Sequence, residues 1–351
     1  MTPEVDKTDR LFPGHMACAG CGEVLGLKLV LQAVGSKTIG VVVPSCVGII
    51  IGPFPYSTFN IPVFHTAFET AAASASGISN ALLAQGDEET VVLAIAGDGG
   101  TTDIGFQALS GAADRNENII YCCLDNEGYM NTGIQVSSST PKHAWTMTTP
   151  LGKPKHKKNM TEIMAAHKIP YCASACSCFP DDLRRKISEA RKIKGTKYIH
   201  ILCPCPTGWR FQERLTPTIG RLAVETKYYP LYEVRDGKDY RVTHQPQDLP
   251  VKEYLMAQGR FKHLSGRDLD IIQEEVDQNW AELTQRERKR KSTRTRSSGS
   301  GLASAVKARY DPALHVHDLA LHVDPEPRIG VVHGDRGPRC IERRGFDLVP
   351  G

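Results

Sequence analysis

"TVVLAIAGDGGTTDIGFQAL", residues 90–109, carries an apolar, β-branched stretch directly into Gly97-Asp98-Gly99-Gly100 and then into a helical pattern. A short apolar run that stops at a glycine turn is the pattern of a buried parallel strand with a functional loop at its C-terminal end. Glycine permits a tight turn and close approach of backbone to phosphate, and the N-terminus of the next helix favours an anion. Asp98 in such a turn suits a divalent cation bound to phosphate oxygens. Taken alone, the same residues suit a plain glycine-rich turn, with an acid capping the helix, better than a cation site.

Three more runs have this form: "TIGVVVPS" (38–45), "NIIYCCLDNEG" (118–128) and "KYIHILCPCP" (197–206). Between them stand helical candidates. "FETAAASASGISNALLAQG" (68–86) is rich in small residues, as in a helix packed tightly on a sheet or on another subunit. "DIGFQALSGAADRN" (103–116) and "DDLRRKISEARKIKG" (181–195) each begin with an acid, and the second ends in basic residues and glycine, which suit a helix C-terminus. Strands alternating with helices predict an α/β unit, a doubly wound parallel sheet, over residues 1–235. Residues 236–285 read as a loop followed by a helical extension. Residues 286–351 read as a basic linker, expected to be disordered, and a tail with no assignable fold.

Composition narrows the class. The chain has 351 residues, 40% hydrophobic and 23% charged, the balance of a soluble globular protein. Its longest apolar stretches are cut by Pro, Ser, Cys and Gly, so no membrane-spanning helix is expected. The N-terminus lacks the basic-then-apolar order of a secretory signal, and a cytoplasmic location is expected. The net charge of +4 is local: "RERKRKSTRTR" (286–296) holds seven basic residues and one acid, and the remainder is slightly acidic. Nucleic-acid binding is therefore not expected of the body of the chain. Eleven cysteines without an export signal suggest reduced thiols and metal ligands.

"IIYCCLDNEGYMNTG" (119–133) places Asn126 at another strand end, 28 positions after Asp98. If the two strands are parallel neighbours, both loops face one crevice. Asp98, Asn126 and the Gly128 carbonyl then offer hard oxygen ligands to Mg²⁺. The cysteines raise a separate question. Cys18-x-x-Cys21 lies near the start, Cys46 follows one strand, and Cys203 and Cys205 follow another. A redox disulfide, zinc and an iron–sulfur cluster all use thiols, and ligand count alone does not decide among them. Cys122, Cys123, Cys172, Cys176 and Cys178 read as core or structural thiols.

The Gly-Asp-Gly turn followed at this distance by Asn126 resembles the thiamine diphosphate motif. "DNEGYMNTGIQ" (125–135) resembles that of the 2-oxoacid:ferredoxin oxidoreductases within that class. "HMACAGCGE" (15–23), "PSC" (44–46) and "CPCPTGW" (203–209) are similar to the β subunit of pyruvate:ferredoxin oxidoreductase. So are "FHTAFETAAASASGI" (64–78) and "TTPLGKPKHKKNM" (148–160). The resemblance covers residues 11–235 and ends there: the C-terminal 60 or so residues depart from the family pattern.

That resemblance implies the thiamine diphosphate-binding fold, with thiamine diphosphate, Mg²⁺ and one [4Fe–4S] cluster as cofactors and coenzyme A as co-substrate. It implies oxidative decarboxylation of a 2-oxoacid, pyruvate before 2-oxoglutarate, branched-chain acids, an aryl glyoxylate or oxalate, with electrons passed to ferredoxin. The same site run in reverse fixes CO₂. It implies Cys18, Cys21, Cys46 and Cys205 as cluster ligands, with Cys203 the competitor for the fourth place and Cys46 also bordering the cofactor. Asp98, Asn126 and Gly128 would hold Mg²⁺, while Gly97, Gly99 and Gly100 shape the phosphate turn. Glu23 would hydrogen-bond the cofactor or cap a helix, and Asn131 would polarise the substrate carbonyl or merely serve a turn. His65 and Glu69 read as structural or interface residues. The resemblance also implies α, γ and ferredoxin-like δ partners, without which the chain is inactive, with the Ala-rich helix at an interface. A zinc-stabilised scaffold and a non-redox thiamine enzyme are the competing readings.

Overall fold

The computed structural model describes residues 10–298, with side chains described up to residue 288. Eight strands form one sheet: β1 (Thr38–Val42), β2 (Val63–His65), β3 (Val91–Gly97), β4 (Ile120–Asp125), β5 (Tyr171–Cys176), β6 (Lys197–Leu202), β7 (Tyr232–Arg235) and β8 (Asp239–Val242). Their spatial order is β2-β1-β3-β4-β6-β5-β7-β8. The first six are mutually parallel, and β7 and β8 close one edge as an antiparallel hairpin. The sheet is thus mixed rather than wholly parallel.

Alternation along the strands feeds two cores. Leu93 and Ile95 of β3 face one side with Ile120, Cys122, Leu124, Ile199 and Ile201. There they meet α1 (Gly22–Val34), α2 (Cys46–Ile51) and α6 (Pro180–Arg191) through Leu27, Leu31, Ile51, Leu183 and Ile187. Ala94 and Ala96 face the other side with Tyr121, Cys123 and Tyr198. Here α3 (Ala71–Ala84), α4 (Phe106–Asp114) and α5 (Met160–Ala166) pack through Ala71, Ala75, Leu109, Ala112, Met160 and Met164. Small residues on α3 let it lie close to β3 and α4, and Leu83 stays 59% exposed on its far side. A third apolar cluster gathers Trp209, Ile219, Tyr254, Phe261 and Val276 around α7 (Pro206–Trp209), α8 (Thr216–Glu225), α9 (Val251–Met256) and α10 (Gly266–Ser298).

Two boundaries need correction. Residue 235 is not a domain edge, because it ends β7 and pairs with Asp239 of β8 in the same sheet. The turn between them, Asp236-Gly237, has φ of +52° and +67°, the left-handed pair that a tight hairpin requires. The extension 236–285 therefore begins as a strand, not a loop. The basic run from 286 does not start a linker either, since α10 continues through it to Ser298. Arg286 anchors that helix on the body by an ion pair with Glu162 and by stacking 5.3 Å from the centre of the Tyr240 ring. The remainder of the expected tail, from residue 299, lies outside the described residues. Among the described residues no helix is long and apolar enough to cross a membrane.

Candidate active site

Four neighbouring strands, in the order β1-β3-β4-β6, each end within two residues of the next. Val42 pairs with Ile95, Gly97 with Leu124, and Asp125 with Leu202. The loops that follow them carry Cys46, Asp98, Asn126, and Cys203 with Cys205. They lie together at the C-terminal edge of the sheet, where open α/β sheets bind ligands.

After β3 the chain turns through Asp98-Gly99 into a π-helical turn, Gly100–Ile104, before α4. Such turns concentrate at functional sites. Gly105 is required there, because a Cβ would lie 2.1 Å from the Gly100 carbonyl oxygen. Gly99 has a second purpose that the sequence hid: its missing side chain makes room for the Tyr129 ring, 2.2 Å from where a Cβ would stand. Tyr129 donates its hydroxyl proton to Asp103 at 2.8 Å, which fixes the β4 loop over the β3 turn.

Asp98 is buried and accepts a 2.5 Å bond from the Ser137 hydroxyl. Burial, and then the charge of Asp125, raise its carboxyl well above the ordinary range. Asn126 is buried as well. Its Nδ2 donates to Glu23 Oε1 at 2.5 Å and faces the Cys46 thiol at 3.6 Å, while its Oδ1 has no partner. The Gly128 carbonyl accepts from Met130 N at 3.0 Å and keeps a second lone pair. A buried acid, an orphaned amide oxygen and a backbone carbonyl are the hard oxygen set that a divalent cation takes. The residues present therefore fit Mg²⁺, whose charge would relieve the crowding of Asp98, Asp125 and Glu23.

Glu23, in the first turn of α1, is 2% exposed, and its Oε2 has no partner. It caps no helix, since its one bonded oxygen is taken by Asn126. Burial, partly offset by that bond, pushes its carboxyl up to about 8. In the metal- and cofactor-free chain the folded state then keeps a proton that the unfolded state releases above about pH 4.5. Stability must fall as pH rises from there towards 8 and level off beyond. Glu23→Gln keeps the accepting oxygen and removes the share of the slope that Glu23 contributes, leaving that of Asp98. Thermal unfolding of the bare chain should show this variant more stable at pH 8, by up to about 4 kcal/mol, and no more stable at pH 4.

The thiols converge from three loops. The Gly22 amide donates to the Pro204 carbonyl at 3.1 Å, which places the Cys18–Cys21 turn against the Cys203–Cys205 loop. A Cβ on Gly22 would meet that carbonyl at 2.6 Å. Cys21 precedes α1, Cys46 begins α2, and Cys205 precedes α7 and accepts from Gly208 N at 3.3 Å. Helix starts favour thiolate over thiol. Against this, burial and the Glu23 carboxylate hold Cys21 at about 11, and burial holds Cys205 at about 12. A bound metal would reverse that balance.

Cys203 is different: it is fully buried, belongs to the sheet core and donates to the Ile201 carbonyl. Cys18, Cys21, Cys46 and Cys205 are all at least partly exposed. Among the described residues no three His, Cys, Asp or Glu side chains form a ready set for a single metal ion. A mononuclear zinc needs its sulfurs about 3.8 Å apart, from Zn–S bonds of about 2.3 Å, whereas a four-iron cube holds them wider. Cys122, Cys123, Cys172, Cys176 and Cys178 are buried, as expected of core thiols.

Asn131 stands exposed in the turn beyond Tyr129, and His65 is exposed at the edge strand. Three residues escaped the sequence reading. Ser137 is the partner of Asp98. Glu127 carries a buried charge between Asn126 and Gly128. Trp209 was visible in "CPCPTGW" but without a role, and its indole N–H donates to the Asn126 carbonyl at 2.7 Å.

Residues 46–201 match the family described as thiamine pyrophosphate enzyme, C-terminal TPP binding domain. The chain is 50% identical over 286 residues to pyruvate synthase subunit PorB of Methanothermobacter marburgensis, covering 80% of this chain and 99% of that one. It belongs to the β subunits of the 2-oxoacid:ferredoxin oxidoreductases. Ketoisovalerate oxidoreductase subunit VorB of Pyrococcus abyssi is 47% identical over 288 residues, covering 78% of this chain and 92% of its own. A solved 2-oxoglutarate:ferredoxin oxidoreductase from Magnetococcus marinus, with 2-oxoglutarate, coenzyme A and succinyl-CoA bound, superposes with a TM-score of 0.50 at 25% identity. That likeness covers 59% of this chain and 71% of the other. The thiamine diphosphate-binding fold and the family expected from the motifs are thus both found.

Proposed function

We propose that this β subunit serves a coenzyme A-acylating oxidoreductase whose 2-oxoacid is pyruvate, and which also runs backwards as a CO₂-fixing synthase. The observation that supports it is the meeting, where adjacent strands end against the N-terminal Cys18–Cys21 turn, of a buried oxygen set for Mg²⁺ with four thiols that are at least partly exposed. Thiamine diphosphate, when bound, supplies an electron sink for decarboxylation, and a [4Fe–4S] cluster supplies a one-electron acceptor beside it.

This chain's residues have definite work in that scheme. Asp98, the Asn126 side-chain oxygen and the Gly128 carbonyl hold the cation that anchors the diphosphate. Gly97, Gly99 and Gly100 shape the turn, and α4 follows it. Cys18, Cys21, Cys46 and Cys205 hold the cluster, with Cys46 bordering both groups. Glu23 keeps Asn126 oriented and offers its free oxygen to the cofactor. Asn131, on the open rim, donates its amide to the substrate carbonyl. Partner α, γ and ferredoxin-like δ subunits complete the site and lead electrons to ferredoxin, with the exposed side of α3 as a contact surface.

The 47% identity to a ketoisovalerate enzyme favours a branched-chain acid as the second reading. Co-expression with the partner subunits, followed by an anaerobic assay with coenzyme A, separates the two. Pyruvate should exceed 2-oxoisovalerate in kcat/KM by at least about tenfold, the scale that a few methylene groups in a pocket provide. The reverse order would reassign the substrate, and failure to turn over any 2-oxoacid would remove the reading itself.

A further inference from the structure

Glu127 lies between two of the residues assigned to the cation, and its backbone is left-handed, with φ of +66°. That conformation is uncommon and costly for an L-residue other than Asn or Asp. The support comes from far away in sequence. Glu127 Oε2 accepts from Arg260 Nη2 at 2.6 Å, across 133 residues, and Oε1 accepts from Lys157 Nζ at 2.8 Å. The Thr140 hydroxyl donates to the Glu127 carbonyl at 2.8 Å.

Arg260 is itself buried, held by Gln258 Oε1 at 2.9 Å, and its guanidinium lies 3.9 Å from the centre of the Trp209 ring. Trp209 closes the circuit by donating its indole N–H to the Asn126 carbonyl at 2.7 Å. It also ends α7, which begins immediately after Cys205. On the same side Gly208 accommodates Met130 of the β4 loop, whose sulfur lies 2.1 Å from where a Cβ would stand. A buried arginine and a half-buried lysine on one buried acid are far more than a surface turn needs, since buried charges are stable only when paired and hydrogen-bonded.

We infer that Trp209, Arg260 and Glu127 form a brace that positions the Asn126–Gly128 turn for its cation and ties it to the loop carrying Cys205. Trp209 is a positioning residue: it touches no ligand and acts through the Asn126 backbone. This rests on the cation site proposed above. Pre-organising the turn removes an ordering cost that cation binding would otherwise bear.

The test uses the assembled complex under anaerobic conditions and follows thiamine diphosphate uptake by calorimetry as Mg²⁺ is varied. Trp209→Phe keeps a ring beneath Arg260 and removes only the N–H donor. It should raise the Mg²⁺ concentration for half-maximal uptake about three- to tenfold, the worth of one buried hydrogen bond, and saturating Mg²⁺ should restore full uptake. An unchanged Mg²⁺ dependence, with or without a lower melting temperature, overturns the brace. If that variant does not assemble, Glu127→Gln preserves shape while removing the negative charge and one of the two acceptor oxygens, and a shift in the same direction is required of it. If the unmodified complex takes up no cofactor, the cation site falls and the brace with it. Uptake by the unmodified complex together with unshifted variants removes the brace alone.

Discussion

Asp98→Ala should abolish magnesium-dependent uptake of thiamine diphosphate and lower turnover by at least about a thousandfold. The magnitude follows from what the metal does: a cation that fixes a diphosphate contributes several kcal/mol, and each 1.36 kcal/mol is tenfold in rate. Alanine removes the only charged member of the oxygen set, leaving the Asn126 amide and the Gly128 carbonyl, which are neutral. It should not unfold the chain. Asp98 without a cation is a buried acid crowded by Asp125, so its loss relieves that crowding, although the Ser137 hydroxyl loses its partner. Calorimetric titration of the complex with cofactor and Mg²⁺, alongside a melting curve, checks both halves of the expectation.

The second large effect separates two thiols only two positions apart. Cys205→Ser should lower bound iron and acid-labile sulfide and suppress electron transfer to ferredoxin, while cofactor uptake persists. Cys203→Ala should leave iron, sulfide and turnover near the unmodified values. Cys203 points into the apolar core between β6 and α1, so its replacement by alanine costs about 1 kcal/mol in stability and nothing in chemistry. Their adjacency is what makes the contrast informative. Along a strand that is ending, residues two apart start on the same face, and the Pro204–Pro206 turn sends Cys205 outward where Cys203 stays in. Iron and sulfide analysis of the two variant complexes decides it.

Much of this architecture can be read locally. β3 and β4 carry unbroken apolar runs into Gly, Asp and Asn, and the register brings Asp98 and Asn126 to neighbouring strand ends as the spacing suggests. The turn at 97–100 is legible because glycine and an acid at a strand end have few other uses. Other parts are silent. β2 is three residues at a sheet edge, too short for any period to register. β5, "YCASAC", is built mostly of small and sulfur-containing residues, and its burial is set by α5 and α6 packed against it and by β6 and β7 beside it rather than by its own hydrophobicity. The Asp-Gly of the β7–β8 hairpin is a legible signal that was passed over.

The site divides in the same way. Ligand-type residues announce themselves, because cysteine spacing and strand-end acids are unusual. The supporting residues do not. Nothing in "QVSSST" marks Ser137 as the partner of Asp98, and Arg260 reaches Glu127 only because α9 folds back over the β4 loop. Long-range pairing of buried charges leaves no local trace.

If one chain brings a magnesium-bound thiamine cofactor and an iron–sulfur cluster together, losing one cluster thiol must strip the cluster and spare the cofactor. The most direct test is the metal, sulfide and thiamine content of the complex purified without oxygen, in which Cys205 alone has been changed to Ser. Against the unmodified complex, about four iron and four sulfide per β subunit should be lost with thiamine and Mg²⁺ retained. Unchanged iron and sulfide, or zinc in place of iron in the unmodified complex, would contradict it.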